Sequence, residues 1–445
     1  MPARRATGAH EPPVRPAIRE PRPAVPGLRL AVFGLLLGSA CHPEGVLPKG
    51  LVERGSLGSV EFTAAELYPA SGSPIELVSP RAGSPALLGP GEEELTAVVW
   101  LADTREASAL ELTARSPEGE SWSLEPGAQP DCDGLGLCRL RVWLRPELPS
   151  GAPDGSLLGL CVEGPSGARC QPGALLRFAE LPVPLRVAQL TDLHLLRGDP
   201  GGERERRLAY LLGHLGTQRP PIHLVAVTGD LADVPGPDLA RRTAALLGAS
   251  PLPVIALPGN HDFKGGGIVH YLEAITPELD HAHRIGPYLL LALSSGPGRW
   301  EEERRGWNGE SAGLEAGQIS WIEEQLGGEA VGAGPPSASL ILVHHPPYSA
   351  LGMLIGRNRK GLLRAARAGG VSAILAGHTH RQEVFDREGV SQGLNVNRED
   401  EVAPRRRPVT LVGSPALDRL EGGVRLVELY PDGRLGYRFV SLGWP

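Results

Sequence analysis

The sequence predicts an α/β domain running to its C-terminal end, preceded by a small β-sandwich. Three observations lead there. From Leu185 on, apolar runs of strand length alternate with amphipathic stretches of helical period, which is the cadence of an α/β fold. Five polar clusters each stand just after such a run: Asp192-Leu193-His194, Gly229-Asp230-Leu231-Ala232-Asp233, Gly259-Asn260-His261-Asp262, His344-His345-Pro346-Pro347 and Gly377-His378-Thr379-His380. That is where ligands gather in open α/β sheets. Between Ile75 and Leu181, by contrast, short segments of alternating hydrophobicity are separated by turn formers such as Ser116-Pro117-Glu118-Gly119, the pattern of a sandwich.

Four stretches follow along the chain: 1–41 as leader, 42–72 as linker, 73–182 as the sandwich and 183–445 as the α/β domain. Residues 1–27 are rich in Pro and Arg without periodicity, and translation is expected to begin near Val25. Arg29, the apolar run Leu30–Leu37 and Gly38-Ser39-Ala40 then precede Cys41. A positive residue, a short apolar core and small residues make an export signal. It resembles a bacterial lipoprotein signal, which implies Cys41 as the lipidated residue, a membrane anchor and a place on the cell envelope; the alternative is a cytoplasmic protein. Residues 42–72 mix Pro, Gly and Ser with isolated apolars and are expected to be a tether.

In the sandwich, strands are expected at Leu95–Leu101, Ala109–Ala114, Ser121–Leu124, Cys138–Leu144, Leu157–Val162 and Leu175–Phe178. Beyond Cys41 four cysteines remain, Cys132, Cys138, Cys161 and Cys170, which allow three connectivities. Pairing Cys132 with Cys138 and Cys161 with Cys170 is favoured, because each pair flanks a turn-rich segment and short loops close easily. Free thiols and a zinc site are the alternatives, zinc ranking last because the spacing fits no Cys-x-x-Cys pattern. The expected role of the sandwich is a spacer, with a substrate- or glycan-binding module as the alternative.

In the α/β domain, strands are expected at Arg186–Leu190, Leu224–Val227, Val254–Leu257, Tyr288–Leu293, Leu340–Val343 and Ile374–Ala376. Helices are expected at Arg204–Leu215, Leu239–Leu247, Gln318–Leu326 and Leu362–Ala368. Three more strands, Val409–Val412, Val424–Leu429 and Tyr437–Ser441, are expected to finish the chain with a hairpin closing a second sheet. The five clusters together offer one site the ligands for two divalent cations.

Composition bounds the partners. The formal charge is −7, and since the first 41 residues hold six Arg and two Glu, net +4, the remainder carries −11. An acidic body with only 4% aromatic residues disfavours long nucleic acid as partner and a nuclease as function. Phosphate chemistry here must rely on a local positive centre.

Taken in order, DLH, GDLAD, GNHD, HHPP and GHTH resemble the five blocks of the calcineurin-like metallophosphoesterase superfamily. The resemblance implies a four-layer α/β/β/α sandwich. It implies that Asp192, His194, Asp230 and His380 hold one metal, and that Asp230, Asn260, His344 and His378 hold the other, Asp230 bridging. Imidazole, carboxylate and amide donors suit Fe, Mn or Zn, in divalent or mixed-valence pairs, better than Mg or Ca. The implied reaction is phosphoester hydrolysis by a hydroxide bridging metals about 3.5–4 Å apart. His261 would protonate the leaving oxygen and Asp233 would orient it. Asp262 is expected either to brace its loop or to serve as a turn residue, and His345 to touch a metal, substrate or a ligand. His214, His223, His270, His281 and His283 fit no block and are expected to be surface or structural.

Within the superfamily, Asp262 and Val234 stand where the protein Ser/Thr phosphatases have Glu and Arg, and Asp233 where purple acid phosphatases have a metal-binding Tyr. The block forms look most like the cyclic-nucleotide and glycerophosphodiester phosphodiesterases. Ser294 and Ser295 occupy the place of an Asp-Ser pair found in many relatives. The expectation is an exported phosphodiesterase or phosphatase acting on a small phosphoester. The rival from another class is an inactive, metal-bearing binding lipoprotein.

Overall fold

A computed structural model describes residues 55–57, 60–62, 73–133, 136–144, 157–296, 312–328, 334–352, 354–394, 409–413, 415–417 and 422–441. The leader with Cys41 and the basic run Arg405–Arg407 lie outside these residues. All described residues belong to one compact unit, Gly45–Pro445. Inside the expected tether, Gly55–Leu57 and Val60–Phe62 pair as a short antiparallel hairpin.

The first region is a sandwich of two five-stranded sheets. One places Ile75–Ser79, Glu94–Leu101 and Leu137–Trp143 side by side; the other runs Ala86–Leu88, Gly167–Arg177, Leu158–Gly164, Glu111–Arg115 and Ser121–Ser123. The strand Leu137–Trp143 illustrates the cause: Cys138, Leu140 and Val142 point inward while Arg141 and Trp143 face solvent, the period-two pattern of a half-buried strand. Cys132 lies opposite Cys138 and Cys161 opposite Cys170 in adjacent antiparallel strands, and both pairs are disulfides as expected.

The second region has two sheets back to back. A five-stranded sheet orders Val254–Leu257, Leu224–Thr228, Leu185–Leu190, Gly423–Leu429 and Leu435–Ser441. A seven-stranded sheet orders His281–Ile285, Tyr288–Leu293, Ala338–Val343, Ala373–Ala376, Val409–Val412, Glu383–Phe385 and Ser391–Leu394. Their facing sides share one core, including Val187, Ala226, Leu290, Leu342 and Leu411. The outer face of the first sheet is covered by helices Glu203–Gly216, Pro237–Gly248 and Ile268–Ala274. The outer face of the second is covered by Ala316–Gly327 and Arg359–Ala368. This is the four-layer arrangement, and burial on both faces explains why the central parallel strands read as unbroken apolar runs.

One expectation needs correction. The last three strands do not close one sheet: Val409–Val412 runs parallel to Ala373–Ala376 in the larger sheet, whereas the hairpin Gly423–Leu429/Leu435–Ser441 pairs with Leu185–Leu190 in the smaller. Hydrophobicity marks a buried strand but not its neighbour, which long-range pairing selects. The sandwich packs directly against the α/β domain. Val78, Ala82, Val98, Trp100 and Leu137 share a core with Leu272 and Ile275.

The contact continues through the backbone. Ala256 donates to Gly83 O at 2.8 Å, Gly83 donates to Ile275 O at 3.1 Å, and the buried Arg81 guanidinium donates to Glu273 O. A Cβ on Gly83 would sit 2.6 Å from Ile275 Cγ2, so the close approach requires glycine. Uncovering two or three large apolar side chains removes about 5 kcal/mol, comparable with the whole stability of a domain. Residues 183–445 expressed alone are therefore expected to lack cooperative thermal unfolding, unlike the chain that keeps the sandwich; scanning calorimetry of both checks this.

Candidate metal centre

Every cluster singled out above sits where a strand ends. Asp192 and His194 follow Leu185–Leu190, Asp230 and Asp233 follow Leu224–Thr228, and Asn260 and His261 follow Val254–Leu257. From the other sheet, His344 and His345 follow Ala338–Val343, and His378 and His380 follow Ala373–Ala376. Both sheets therefore deliver side chains to one edge.

The backbone there is strained. Asp192, His194, Asp230, His378 and His380 have φ of 52°, 46°, 53°, 72° and 55°, and among the described residues Asn358 is the one other non-glycine with positive φ. A left-handed residue with a side chain costs on the order of 1–2 kcal/mol, so packing must impose these conformations. Gly229 (φ 94°) precedes Asp230 because a Cβ there would strike the His344 ring, and Gly259 precedes Asn260 because a Cβ there would strike the Asp230 carboxylate.

The side chains meet around Asp230. On one side, His380 Nε2 lies 3.3 Å from Asp192 Oδ1 and 3.2 Å from His194 Nε2, and His194 Nε2 lies 3.8 Å from Asp230 Oδ2. On the other, His344 Nε2 lies 3.4 Å from the same Asp230 Oδ2 and 3.1 Å from Asn260 Oδ1. His344 Nδ1 is 2.9 Å from Thr228 O, so it donates there and Nε2 faces the centre. His378 joins this side: its ring, that of His344 and that of His345 offer nitrogens within 4.8 Å of one another.

These residues fit a pair of cations. Donor atoms of one ion stand roughly 3 Å apart when each bond is about 2.0–2.2 Å, the spacing seen here. Asp192 Oδ1 and His194 Nδ1 are buried with no hydrogen-bond partner, which is costly unless something else satisfies them.

Electrostatics favours the neutral ring in two of the four candidate imidazoles, His194 and His378, and the charged ring in His344 and His380. Burial pushes His194 down to about 4. Burial, then the neighbouring His344, do the same to His378, also to about 4, so both rings are neutral at pH 7, as a metal ligand must be. Burial alone would also depress His344, but the Asp230 carboxylate outweighs it and lifts His344 to about 9. Asp230 is held far below the usual carboxylate range: burial opposes ionisation, and the charge of His344 overcomes it.

Around this centre the structure places the remaining candidates. His261 Nδ1 lies 3.0 Å from Asp233 Oδ1, and the His261 backbone donates to Asp230 Oδ1 at 2.8 Å. Asp262 is a brace rather than a turn residue: its buried carboxylate accepts from Gly259, Leu231 and Ala232 backbone N–H at 2.9, 3.1 and 2.9 Å. It thereby ties the Asn260 loop to the Asp230 loop. His345 is buried and bonded to Ser295 Oγ at 2.7 Å through Nδ1.

His281 and His283 are structural, buried and 2.8 Å apart. Asp280, just before strand His281–Ile285, accepts from Ser294 N at 2.8 Å. Sequence reasoning missed Lys264, whose ammonium lies beside His261.

The comparisons agree with this geometry. Residues 185–382 match the family model described as calcineurin-like phosphoesterase. The chain is 28% identical over 277 residues to the cAMP/cGMP dual specificity phosphodiesterase MT0825 of Mycobacterium tuberculosis, covering 58% of this chain and 80% of the relative. It is 28% identical over 266 residues to the 3',5'-cyclic adenosine monophosphate phosphodiesterase CpdA of Haemophilus influenzae, covering 58% and 89%. A 3',5'-cyclic-nucleotide phosphodiesterase of Nostoc, alr5338, matches at 25% over 283 residues, covering 56% and 90%. With the blocks in order and the strand ends converged, residues 185–382, somewhat under half of the chain, are similar to the calcineurin-like phosphoesterases, which together with the phosphodiesterase relatives supports a phosphoric ester hydrolase.

Proposed function

We propose that the protein is an exported, lipid-anchored phosphodiesterase acting on small extracytoplasmic phosphoesters. The observation that carries the chemistry is the position of Asp230 Oδ2, 3.8 Å from His194 Nε2 and 3.4 Å from His344 Nε2, which suits one carboxylate serving two ions. Asp192, His194 and His380 would complete one ion's donors, and Asn260, His344 and His378 the other's. Two Fe, Mn or Zn ions bound there would activate water and neutralise phosphoryl charge.

The protein's own groups do the rest. Asp233 accepts from His261 Nδ1 and fixes the ring, so that the opposite nitrogen, once protonated, can pass its proton to the leaving oxygen. Asp262 keeps the loop that carries His261 in register with Asp230. Preference for diesters draws support from the phosphodiesterase relatives and from the block forms they share.

Export draws support from the two disulfides, which belong to oxidising compartments, and from the signal ending at Cys41. Among the described residues no helix is long and apolar enough to cross a membrane. The rival, a metal-bearing binder without activity, would lack a donor or the acid, and none is missing here.

The test is to purify the full chain, count its metals by mass spectrometry, and compare bis-p-nitrophenyl phosphate with the monoester. Two ions per chain and faster diester hydrolysis are expected. A fully loaded protein without turnover on either ester establishes the binder instead. Cys41→Ser should release the protein from the membrane fraction; unchanged fractionation removes the anchor from the proposal.

A further inference from the structure

Gln189 stands next to last in the strand Leu185–Leu190, ahead of Asp192, and belongs to none of the five blocks. Two residues earlier on the same face, Val187 is part of the core between the two sheets, so alternation turns the Gln189 side chain into that gap as well. It is 2% exposed. An apolar side chain would continue the core at this place, and the chain has an amide instead.

The amide spans the gap. Its Nε2 donates to Ala376 O at 2.7 Å and to Thr228 Oγ1 at 3.0 Å. Because a carbonyl oxygen only accepts, the amide nitrogen and not its oxygen faces Ala376. Ala376 ends the strand that leads to His378 and His380 in the larger sheet, and Thr228 ends the strand that leads to Asp230 in the smaller. One side chain thus joins three strand ends. Among the described strands the two sheets share no backbone ladder, so side chains set their separation here. His344 Nδ1 and His378 N cross the gap as well, to Thr228 O and Asp192 Oδ2, but both belong to candidate ligands.

Local stability does not account for the amide. Its Oε1 is buried without a hydrogen-bond partner among the described residues, which is costly. Nor do its acceptors depend on it: Ala376 O also accepts from Gly413 N at 2.9 Å, and the Thr228 hydroxyl reaches Leu190 O at 3.4 Å.

Resting on the two-ion reading above, we propose that Gln189 is a positioning residue for the metal pair. Each ion would draw donors from both sheets: Asp192, His194 and Asp230 with His380 for one, Asp230 and Asn260 with His344 and His378 for the other. The spacing of the sheets at Ala376 therefore decides how closely each set of donors can close, and the bond from Gln189 holds that spacing. Without it, the strand end that carries His378 and His380 can settle further from Asp192 and Asp230.

The test uses the full chain as wild type and as Gln189→Met, which keeps the length of the side chain and removes its N–H groups. Mn affinity is measured by titration calorimetry, and the spectrum of the bound Mn pair by electron paramagnetic resonance. Thermal unfolding is followed without metal, because bound ions raise the midpoint by mass action. Gln189→Met is expected to bind Mn roughly tenfold more weakly, the lower end of what a supporting residue contributes to a metal site. The magnetic coupling between the two ions changes with it, at an unchanged metal-free midpoint.

An unchanged affinity or an unchanged spectrum overturns the proposal. So does a Gln189→Met chain that fails to fold, or whose metal-free midpoint falls together with the affinity, because the amide then serves the fold. A wild type that binds no pair of ions refutes the two-ion reading itself. That result is distinguishable from a wild type with two ions matched by an equally tight Gln189→Met.

Discussion

Replacing Asp230 by Ala is expected to empty both halves of the metal centre and to lower phosphodiester hydrolysis roughly a thousandfold or more, since a metal pair supplies several kcal/mol of transition-state stabilisation. The reason is the shared position of its carboxylate. Oδ2 faces His194 on one side and His344 on the other, while Oδ1 accepts from the His261 backbone. Removing it leaves the donors of each ion one short and loosens the loop of the proposed acid.

Asp192→Ala should behave differently, because Asp192 stands nearest His380 and His194, at 3.3 and 3.9 Å, and reaches His344 only within 4.8 Å. One ion is lost first. Metal counts by mass spectrometry on both variants, with circular dichroism to establish folding, provide the check. An Asp230→Ala protein with two bound ions and full activity would remove the assigned centre.

The second large effect depends on the ester. His261→Ala should slow hydrolysis of an alkyl diester by about 10²–10⁴, the usual contribution of a general acid, yet slow bis-p-nitrophenyl phosphate far less. Nitrophenolate leaves without help, whereas an alkoxide must take up a proton as the bond breaks. Asp233→Asn should show the same selectivity in smaller degree, because it still offers an oxygen to His261 Nδ1 but no charge. Kinetics on paired esters differing only in leaving group decide the point. Equal losses on both esters would mean that His261 acts in binding or metal support and not as the acid.

Much of this was legible before any coordinates. Val254–Leu257 and Tyr288–Leu293 have the expected bounds, because strands buried on both faces are uninterrupted apolar runs. The short disulfide pairings were legible too, because each pair lies close in sequence, on adjacent antiparallel strands. His281–Ile285 was not legible, since two histidines and an arginine within five residues hide the strand. Only its antiparallel pairing with Tyr288–Leu293 at the sheet edge makes it one. Helix Ile268–Ala274 went unseen because seven residues hold too few turns to display a period.

The site divides in the same way. Residue types and their places after apolar runs determined by themselves which side chains could gather and what chemistry they could perform, since strand ends in an α/β sheet share one edge. Tertiary structure alone decided how they gather. The positive φ of five candidate ligands, the Asp262 carboxylate tying two loops, the ammonium of Lys264 beside His261 and the seating of the sandwich against Ile275 all depend on atoms remote in the chain. Local preference opposes the left-handed backbone and is silent about the rest. Only the combined packing of two sheets and a sandwich supplies the energy that holds them there.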